Sequence, residues 1–505
     1  MAHPLPALLR SSRRVVVPSS IPFSLRSYSA TPTGKDQAQA AAQVNTKPPI
    51  RTVHKQDPRT GPSRRPASKS ILRDVPKLEE PLPAGLEVTK TALLHESSRG
   101  KKPSLYFSLR DACKCPKCVD PHSKQRNFRT TDIHPFVAPR NIRRNGQQIE
   151  IKWTNDIKGY DESHTSVYNL EELQWPNRFV SDNTGTMRLR KRWNAYEMSK
   201  YQHWISYDDY MNDEAKLSSA MRSLAAMGMI FVKDIPDSRE MVEKIATRMG
   251  PLRNTFYGPT WDVRTVPEAK NVAYTSQFLD FHMDLMYMNE PPGFQLLHCL
   301  ENSCDGGESL FVDTVNAAED MQTFAPDHFK TLTEFNLSYE YVHDNSVYYN
   351  SWPVFEVARS RHDNTQQVRH VNYSPPFQSN MLGKRRSYEA LERGRRALCH
   401  FENILQDKEN IFELKLKPGE CVIFENRRVA HARRHFNTNS GKRWLAGAYV
   451  DEDALISRFR VSRNNHPDPW NKRIRYTEPH GSQTEQGKDE LKTEQQGTQV
   501  PDSQA

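Results

Sequence analysis

The sequence predicts an α+β chain: a double-stranded β-helix (jelly-roll) domain with inserted helices, preceded by a small β-rich metal-binding domain. Three observations point there. Short β-prone runs separated by turn residues dominate after residue 270, helical periodicity dominates just before them, and three cysteines crowd into six positions of an earlier segment.

Residues 1–30 carry Arg10, Arg13, Arg14 and Arg26 among serines, with Leu8, Leu9, Val15, Val16 and Val17 between them and no acid before Asp36. That is the composition of a mitochondrial transit peptide, a positive amphipathic segment drawn inward by the matrix-negative potential. A disordered basic tail is the competing account. Residues 31–84, rich in Ala, Gln, Pro, Lys and Arg without an apolar period, predict a disordered linker.

Residues 85–190 form the expected N-terminal domain, with strand-like runs at Leu105–Leu109 and Ile149–Trp153. Residues 191–465 form the expected jelly roll. Leu217, Met221, Leu224 and Ala225 recur at helical spacing and stop at Gly228, a C′ residue. A short buried strand, Met229–Val232, follows. Asp237 with Glu240 predicts a capping box for a helix burying Met241, Val242, Ile245 and Met249 and ending at Gly250. Strands are then predicted at Asn271–Thr275, Phe294–Cys299, Ser309–Val312, Glu420–Phe424 and Trp444–Val450. One more helix spans about Tyr388–Leu405. Residues 466–505, dense in Gln, Glu, Lys, Ser and Thr, predict a disordered tail.

Charge excludes one class of function. The chain's formal charge is +10, but residues 1–75 hold 13 basic and 3 acidic residues, so the whole surplus sits there. The part expected to fold is neutral, which removes the support for a nucleic-acid-binding face. No stretch approaches the ~20 apolar residues of a membrane-spanning helix. Seven cysteines, an odd number with three bunched, read as reduced thiols and one metal cluster rather than a disulfide framework.

His282-Met283-Asp284 carries the first chemistry. In an extended chain, side chains at i and i+2 point to one side, so this imidazole and carboxylate can grip one ion together. A second histidine completes a 2-His-1-carboxylate face, which leaves positions open on Fe(II) for a 2-oxo acid and dioxygen. His431, after the strand ending at Phe424, is the expected third ligand; His435 competes from further into the loop. Arg443, twelve residues past His431, heads a strand from which its guanidinium can clamp the distal carboxylate of 2-oxoglutarate.

These blocks resemble the gamma-butyrobetaine dioxygenase and trimethyllysine dioxygenase family, within the taurine-dioxygenase-like oxygenases. The similar runs are Asn271-Val-Ala-Tyr274-Thr, His282-Met-Asp284, Pro291-Pro-Gly-Phe-Gln-Leu-Leu-His-Cys299, Gly306-Gly307, Phe424-Glu-Asn-Arg-Arg-Val-Ala-His431, Arg443 and Gly447-Ala-Tyr449. Together they cover about residues 85–465. The resemblance implies a structural zinc at Cys113, Cys115 and Cys118 with His164 as fourth ligand, His122 and His134 being alternatives. It implies an aromatic box for a trimethylammonium group from Tyr257, Trp261, Tyr274 and Tyr449, with Asn271 near the substrate carboxylate. His370-Val-Asn372-Tyr-Ser374 corresponds in part to the family's second carboxylate contact. It further implies Fe(II), 2-oxoglutarate as co-substrate, ascorbate as reductant, a homodimer and a soluble matrix enzyme. The expected reaction is hydroxylation of gamma-butyrobetaine to L-carnitine. Trimethyllysine hydroxylation is the second reading, and an idle zinc-containing binding protein the third.

Overall fold

The computed structural model describes residues 74–97, 100–170, 173, 190–264, 276–343, 345–359, 366–380 and 387–471. The expected transit peptide, the linker up to residue 73, the strand at 271–275 and the tail beyond 471 lie outside the described residues.

The N-terminal part holds two three-stranded antiparallel sheets. One is β1 (Leu86–Val88), β2 (Ala92–Ser97) and β3 (Gly100–Leu105); the other is β4 (Ala138–Asn145), β5 (Gln148–Thr154) and β6 (Thr165–Asn169). Alternation predicts β5 correctly, with Ile149, Ile151 and Trp153 all turned inward. The same reasoning fails at Leu105–Leu109, where the chain forms helix α1 (Tyr106–Asp111). The alternating Leu105 and Phe107 are exposed, and the inward set is Tyr106, Leu109 and Arg110, a helical spacing. Packed chain also begins before residue 85, since Leu78 and Leu82 lie against this core.

The larger part opens with α2 (Ala195–Tyr201), β7 (Trp204–Ser206), α3 (Tyr207–Asn212), α4 (Glu214–Met227), β8 (Met229–Lys233) and α5 (Met241–Met249). Strands β9 (Thr260–Arg264), β10 (Leu279–His282), β11 (Phe294–Asn302) and β12 (Ser309–Asp313) follow. Next come α6 (Thr314–Phe324), α7 (Pro326–Glu334) and two hairpins, β13 (Asn336–His343) with β14 (Ser346–Pro353) and β15 (Phe355–Arg359) with β16 (Gln366–Val371). After α8 (Tyr388–Leu405), β17 (Phe412–Leu414), β18 (Cys421–Glu425), β19 (Val429–Arg433) and β20 (Arg443–Val450) complete the sheets. Helices α9 (Glu452–Asn465) and α10 (Asp468–Asn471) close the chain, and Trp470 donates to Ser218, so packing runs past the expected start of the tail.

Two sheets organise this part. The smaller has the order β10-β19-β12-β17 and the larger β7-β8-β18-β11-β20-β9, antiparallel throughout except β7 against β8. Leu297, Cys299, Phe424 and Leu445 of the larger sheet share one buried cluster with Phe311, Phe412 and Val429 of the smaller, so the sheets pack face to face. The other face of the larger sheet is covered by α4, α5 and α9 through Leu217, Leu224, Ile245 and Leu455.

Helix α4 starts where Asp213 accepts from the backbone of Ala215 and Lys216, and ends at Gly228 in the left-handed region (φ +73°). A Cβ there would also come within 2.9 Å of Arg428. The capping box at Asp237 does not form. Helix α5 starts at Met241 after Glu240, which makes no side-chain cap, because turn bonds from Met241 to Ser238 and from Ser238 to Pro236 take up the backbone first.

Arg428 itself is fully buried. It meets Asp313 at 2.9 and 3.2 Å and donates to the carbonyls of Ala226 and Lys191. Replacing it as Arg428→Met would strand a buried carboxylate, and the expected loss is about 3–5 kcal/mol of stability. Urea denaturation checks this; an unchanged midpoint would show the pair to be dispensable.

Candidate metal centre and pocket

Register brings the two histidines together. Strands β10 and β19 are antiparallel neighbours, His282 lies directly opposite His431, and their ring centroids are 4.1 Å apart. Asp284 follows just beyond β10, where the chain turns sharply: Leu285 sits at φ +59°. His282 Nδ1 donates to the carbonyl of Asp280 at 2.8 Å, which leaves Nε2 facing inward, 3.5 Å from Asp284 Oδ1. One ligand atom from each of His282, Asp284 and His431 lies within 4.8 Å of the others.

The electrostatics suit a cation. Burial by itself would raise the Asp284 carboxyl, but the hydrogen bond with His282 and the neighbouring histidines hold it well below the usual range. Burial, reinforced by His282, pushes His431 down to about 3. A neutral His431 imidazole beside an ionised Asp284 carboxylate is the state in which these two groups ligate a metal. His431 Nδ1 is buried without a hydrogen-bond partner. The backbone of Asp284 is clamped by Asn426, which accepts from its N–H at 2.8 Å and donates to its carbonyl at 2.9 Å. Tyr449 donates its hydroxyl to Asp284 Oδ2 at 2.6 Å.

The cavity over the triad lies between the two sheets. At one end stand two buried arginines, Arg443 on β20 and Arg433 on β19, flanking the ring of Phe436 at 5.8 and 5.1 Å. Burial lowers Arg443 to about 10; burial and then the charge of Arg443 lower Arg433 to about 9. Arg443 donates to the Gly307 carbonyl and forms no ion pair among the described residues. Ser309, directly across from Arg433 on β12, adds a hydroxyl. This is a pre-built anion site.

The remaining wall is aromatic. Tyr257, Trp261 and Tyr449 line the cavity as the sequence predicts, and Trp261 stacks on Tyr449 with centroids 3.9 Å apart. Gly447 permits that stack, since a Cβ there would fall 2.4 Å from the indole. Asn271 and Tyr274 lie outside the described residues. Tyr287 and Phe377, edge to face at 5.4 Å, also line the cavity and were missed, as were Gln295, Ser309 and Arg433. The tyrosine and phenylalanine sit in turns with no periodicity to mark them. The last had a signal: it lies two residues past His431 on the same strand, hence on the same face.

The stretch His370–Ser374, expected to supply the second carboxylate contact, lies away from this cavity. His370 is held between Glu356 at 3.2 Å and Glu452 at 3.0 Å, while Asn372 is engaged by Arg427 and Glu356. None of that stretch lines the cavity.

A second cluster sits in the N-terminal part. The sulfurs of Cys113, Cys115 and Cys118 lie 3.7, 3.4 and 3.4 Å from His164 Nε2. His122 and His134 take no part in it. Asp156 bonds His164 Nδ1 at 2.6 Å and fixes the ring, and the buried Arg110 bridges Asp156 and Cys118. Three thiols and an imidazole around one point suit a closed tetrahedral site for a soft divalent ion.

Comparison with known proteins agrees with this geometry. The profile described as taurine catabolism dioxygenase TauD, TfdA family matches residues 197–449, and that of the gamma-butyrobetaine hydroxylase-like N-terminal domain matches 98–174. The dioxygenase str8 of Strobilurus tenacellus is 33% identical over 372 residues, covering 70% of this chain and 84% of its own. Human mitochondrial trimethyllysine dioxygenase is 28% identical over 362 residues, covering 70% and 82%. Human gamma-butyrobetaine dioxygenase is 27% identical over 379 residues, covering 72% and 92%.

The two candidate metal sites share no residue. Asp284→Ala is therefore expected to lower iron retention by more than about ten-fold while any metal held by the cysteine cluster stays at the wild-type level. Elemental analysis after desalting reads both; a parallel loss of the second metal would show that the clusters are not independent.

Proposed function

Since the chain belongs to the taurine catabolism dioxygenase TauD/TfdA family and is a 2-oxoglutarate-dependent dioxygenase, we propose that it hydroxylates a small trimethylammonium compound, with gamma-butyrobetaine, giving L-carnitine, as the first candidate. One observation carries this. The cavity over the triad is walled by Tyr257, Trp261, Tyr287, Phe377 and Tyr449, and its only acid among the described lining residues is the candidate ligand Asp284. A quaternary ammonium has no N–H to donate, so it is held by ring faces, at roughly 0.5–2 kcal/mol per contact.

His282, Asp284 and His431 would hold the iron, and Arg443 the distal carboxylate of 2-oxoglutarate. Iron(II), when bound, couples oxidative decarboxylation of 2-oxoglutarate to insertion of one oxygen atom into a C–H bond; ascorbate keeps it reduced. The chain's contribution is position. The aromatic wall orients the cation end of the substrate, and Tyr449 both stacks on Trp261 and steadies Asp284. In this reading the two facing sheets are the two halves of a jelly roll. Cys113, Cys115, Cys118 and His164 bind structural zinc, and the chain works as a homodimer in the mitochondrial matrix.

Trimethyllysine is the second substrate reading, favoured by its relatives at 28% identity. Its α-ammonium group would need an acceptor, and the described wall offers no carboxylate free of the metal.

Purified protein with Fe(II), ascorbate and 2-oxoglutarate is expected to yield a hydroxylated product from gamma-butyrobetaine by mass spectrometry. Trp261→Leu should raise the KM for the amine about ten-fold. Product from trimethyllysine alone would reassign the substrate, and product from neither would sink the trimethylammonium reading.

A further inference from the structure

Arg110 is a cation at a position where packing alone would choose an apolar residue. It is wholly buried on α1, shortly before the first cysteine of the cluster, and shares the inward face of the helix with Tyr106 and Leu109. Its guanidinium carbon lies among rings, 5.0 Å from the centroid of Phe128 and 4.8 Å from that of Tyr160. Burying a charge in such surroundings is costly unless specific partners answer it.

The partners are the cluster and the carboxylate that braces it. Nη1 donates to the sulfur of Cys118 at 3.3 Å, and Nε donates to Asp156 Oδ1 at 2.5 Å. The other oxygen of Asp156 bonds Nδ1 of His164 at 2.6 Å. One side chain therefore reaches two of the four candidate ligands, Cys118 directly and His164 through a carboxylate. Nη2 is buried without a hydrogen-bond partner, so the guanidinium serves no wider network. The ring of Tyr160 meets that of His164 edge-on at 4.9 Å and closes the same side.

We infer that Arg110 is a positioning residue for the metal of this cluster: its two donors fix Cys118 as a hydrogen-bonded thiolate and, through Asp156, hold His164 with Nε2 turned to the ion. This rests on the metal reading of the cluster given above. Charge supplies the reason. Three thiolates outweigh a divalent ion, and Asp156 adds to the excess, so the buried site needs a cation beside it. An arginine provides one without competing for the ion, because a guanidinium has donors only and stays charged. Its fork matters as much as its charge. Nε and Nη1 serve two different partners at once, which a single ammonium cannot reproduce.

Cobalt(II) is the probe, on the full chain. A thiolate bound to it gives a sulfur-to-metal charge-transfer band, which the sulfur-free triad of His282, Asp284 and His431 cannot produce. Arg110→Met is expected to move that band to longer wavelength, since losing an N–H donor raises the energy of the sulfur electrons. It should also speed release of the ion to a chelator by about ten-fold or more. Fe(II) retention at the triad should stay at the wild-type level. Arg110→Lys, which keeps the charge but not the fork, stands in if the methionine variant fails to fold, and should shift the band in the same direction. An unmoved band in the folded methionine variant, or in the lysine variant where it stands in, overturns the inference. So does loss of both metals together, which would mark Arg110 as a general packing residue. A wild-type chain that binds cobalt without a sulfur band would overturn the metal reading of the cluster itself, and the role of Arg110 with it.

Discussion

Three consecutive residues in the turn between β18 and β19 hold this site together. Asn426 grips the backbone of Asp284 in both directions and also donates to Pro292. Arg427 donates to Asn372 and pairs with Glu356, which ties down the hairpin β15–β16. Arg428 pairs with Asp313 at the end of β12, where Asp313 also caps helix α6. Each side chain takes a different neighbour, so one tight turn fixes three elements. His431 comes three residues later, on a strand whose start is already set.

The energetic character of that turn follows from burial. Arg428 and Asp313 are wholly removed from solvent, and such a pair gains little over a well-packed apolar substitute. What it supplies is direction. A guanidinium that must meet a carboxylate and two carbonyls tolerates few placements of the strands around it. Gly228 completes the arrangement, because any side chain there would collide with Arg428. The run Glu-Asn-Arg-Arg before Val-Ala-His431 is therefore a scaffold for the histidine rather than a set of groups acting on a substrate.

That distinction explains what the sequence could and could not reveal. The triad was legible in its residue types and spacing, although the strand period holds only for the histidines: the antiparallel register sets His431 opposite His282, while Asp284 joins them from the turn just beyond β10. The Cys113, Cys115, Cys118 and His164 cluster was legible through spacing and resemblance together. Alternation misled at Leu105–Leu109, where the apolar residues at odd positions face solvent and a helix forms. Tyr287, Phe377 and Gln295 were invisible for another reason. Their roles come from tertiary approach, and nothing local separates a cavity-lining residue from a core one. The placement of His370 and Asn372 was hidden likewise, since the partners that hold them, Glu356, Arg427 and Glu452, lie 14 to 82 positions off in sequence.

The charges lining the cavity make binding and stability one question. Arg433 and Arg443 are both buried, and the charge of the second depresses the first. Asp284, the one described carboxylate in the wall, belongs to the metal ligands at the other end. A dianion spanning the cavity would meet positive charge at both ends, with one carboxylate toward the candidate metal ligands and a metal held there and the other at the arginines. A monoanion would leave one end uncompensated. The same logic assigns different work to the two metal clusters. The cysteine cluster is braced from behind by Arg110 and Asp156 and supplies four candidate ligands, as a structural site does. The triad opens onto a cavity whose far end carries two buried guanidinium groups, suited to an anion.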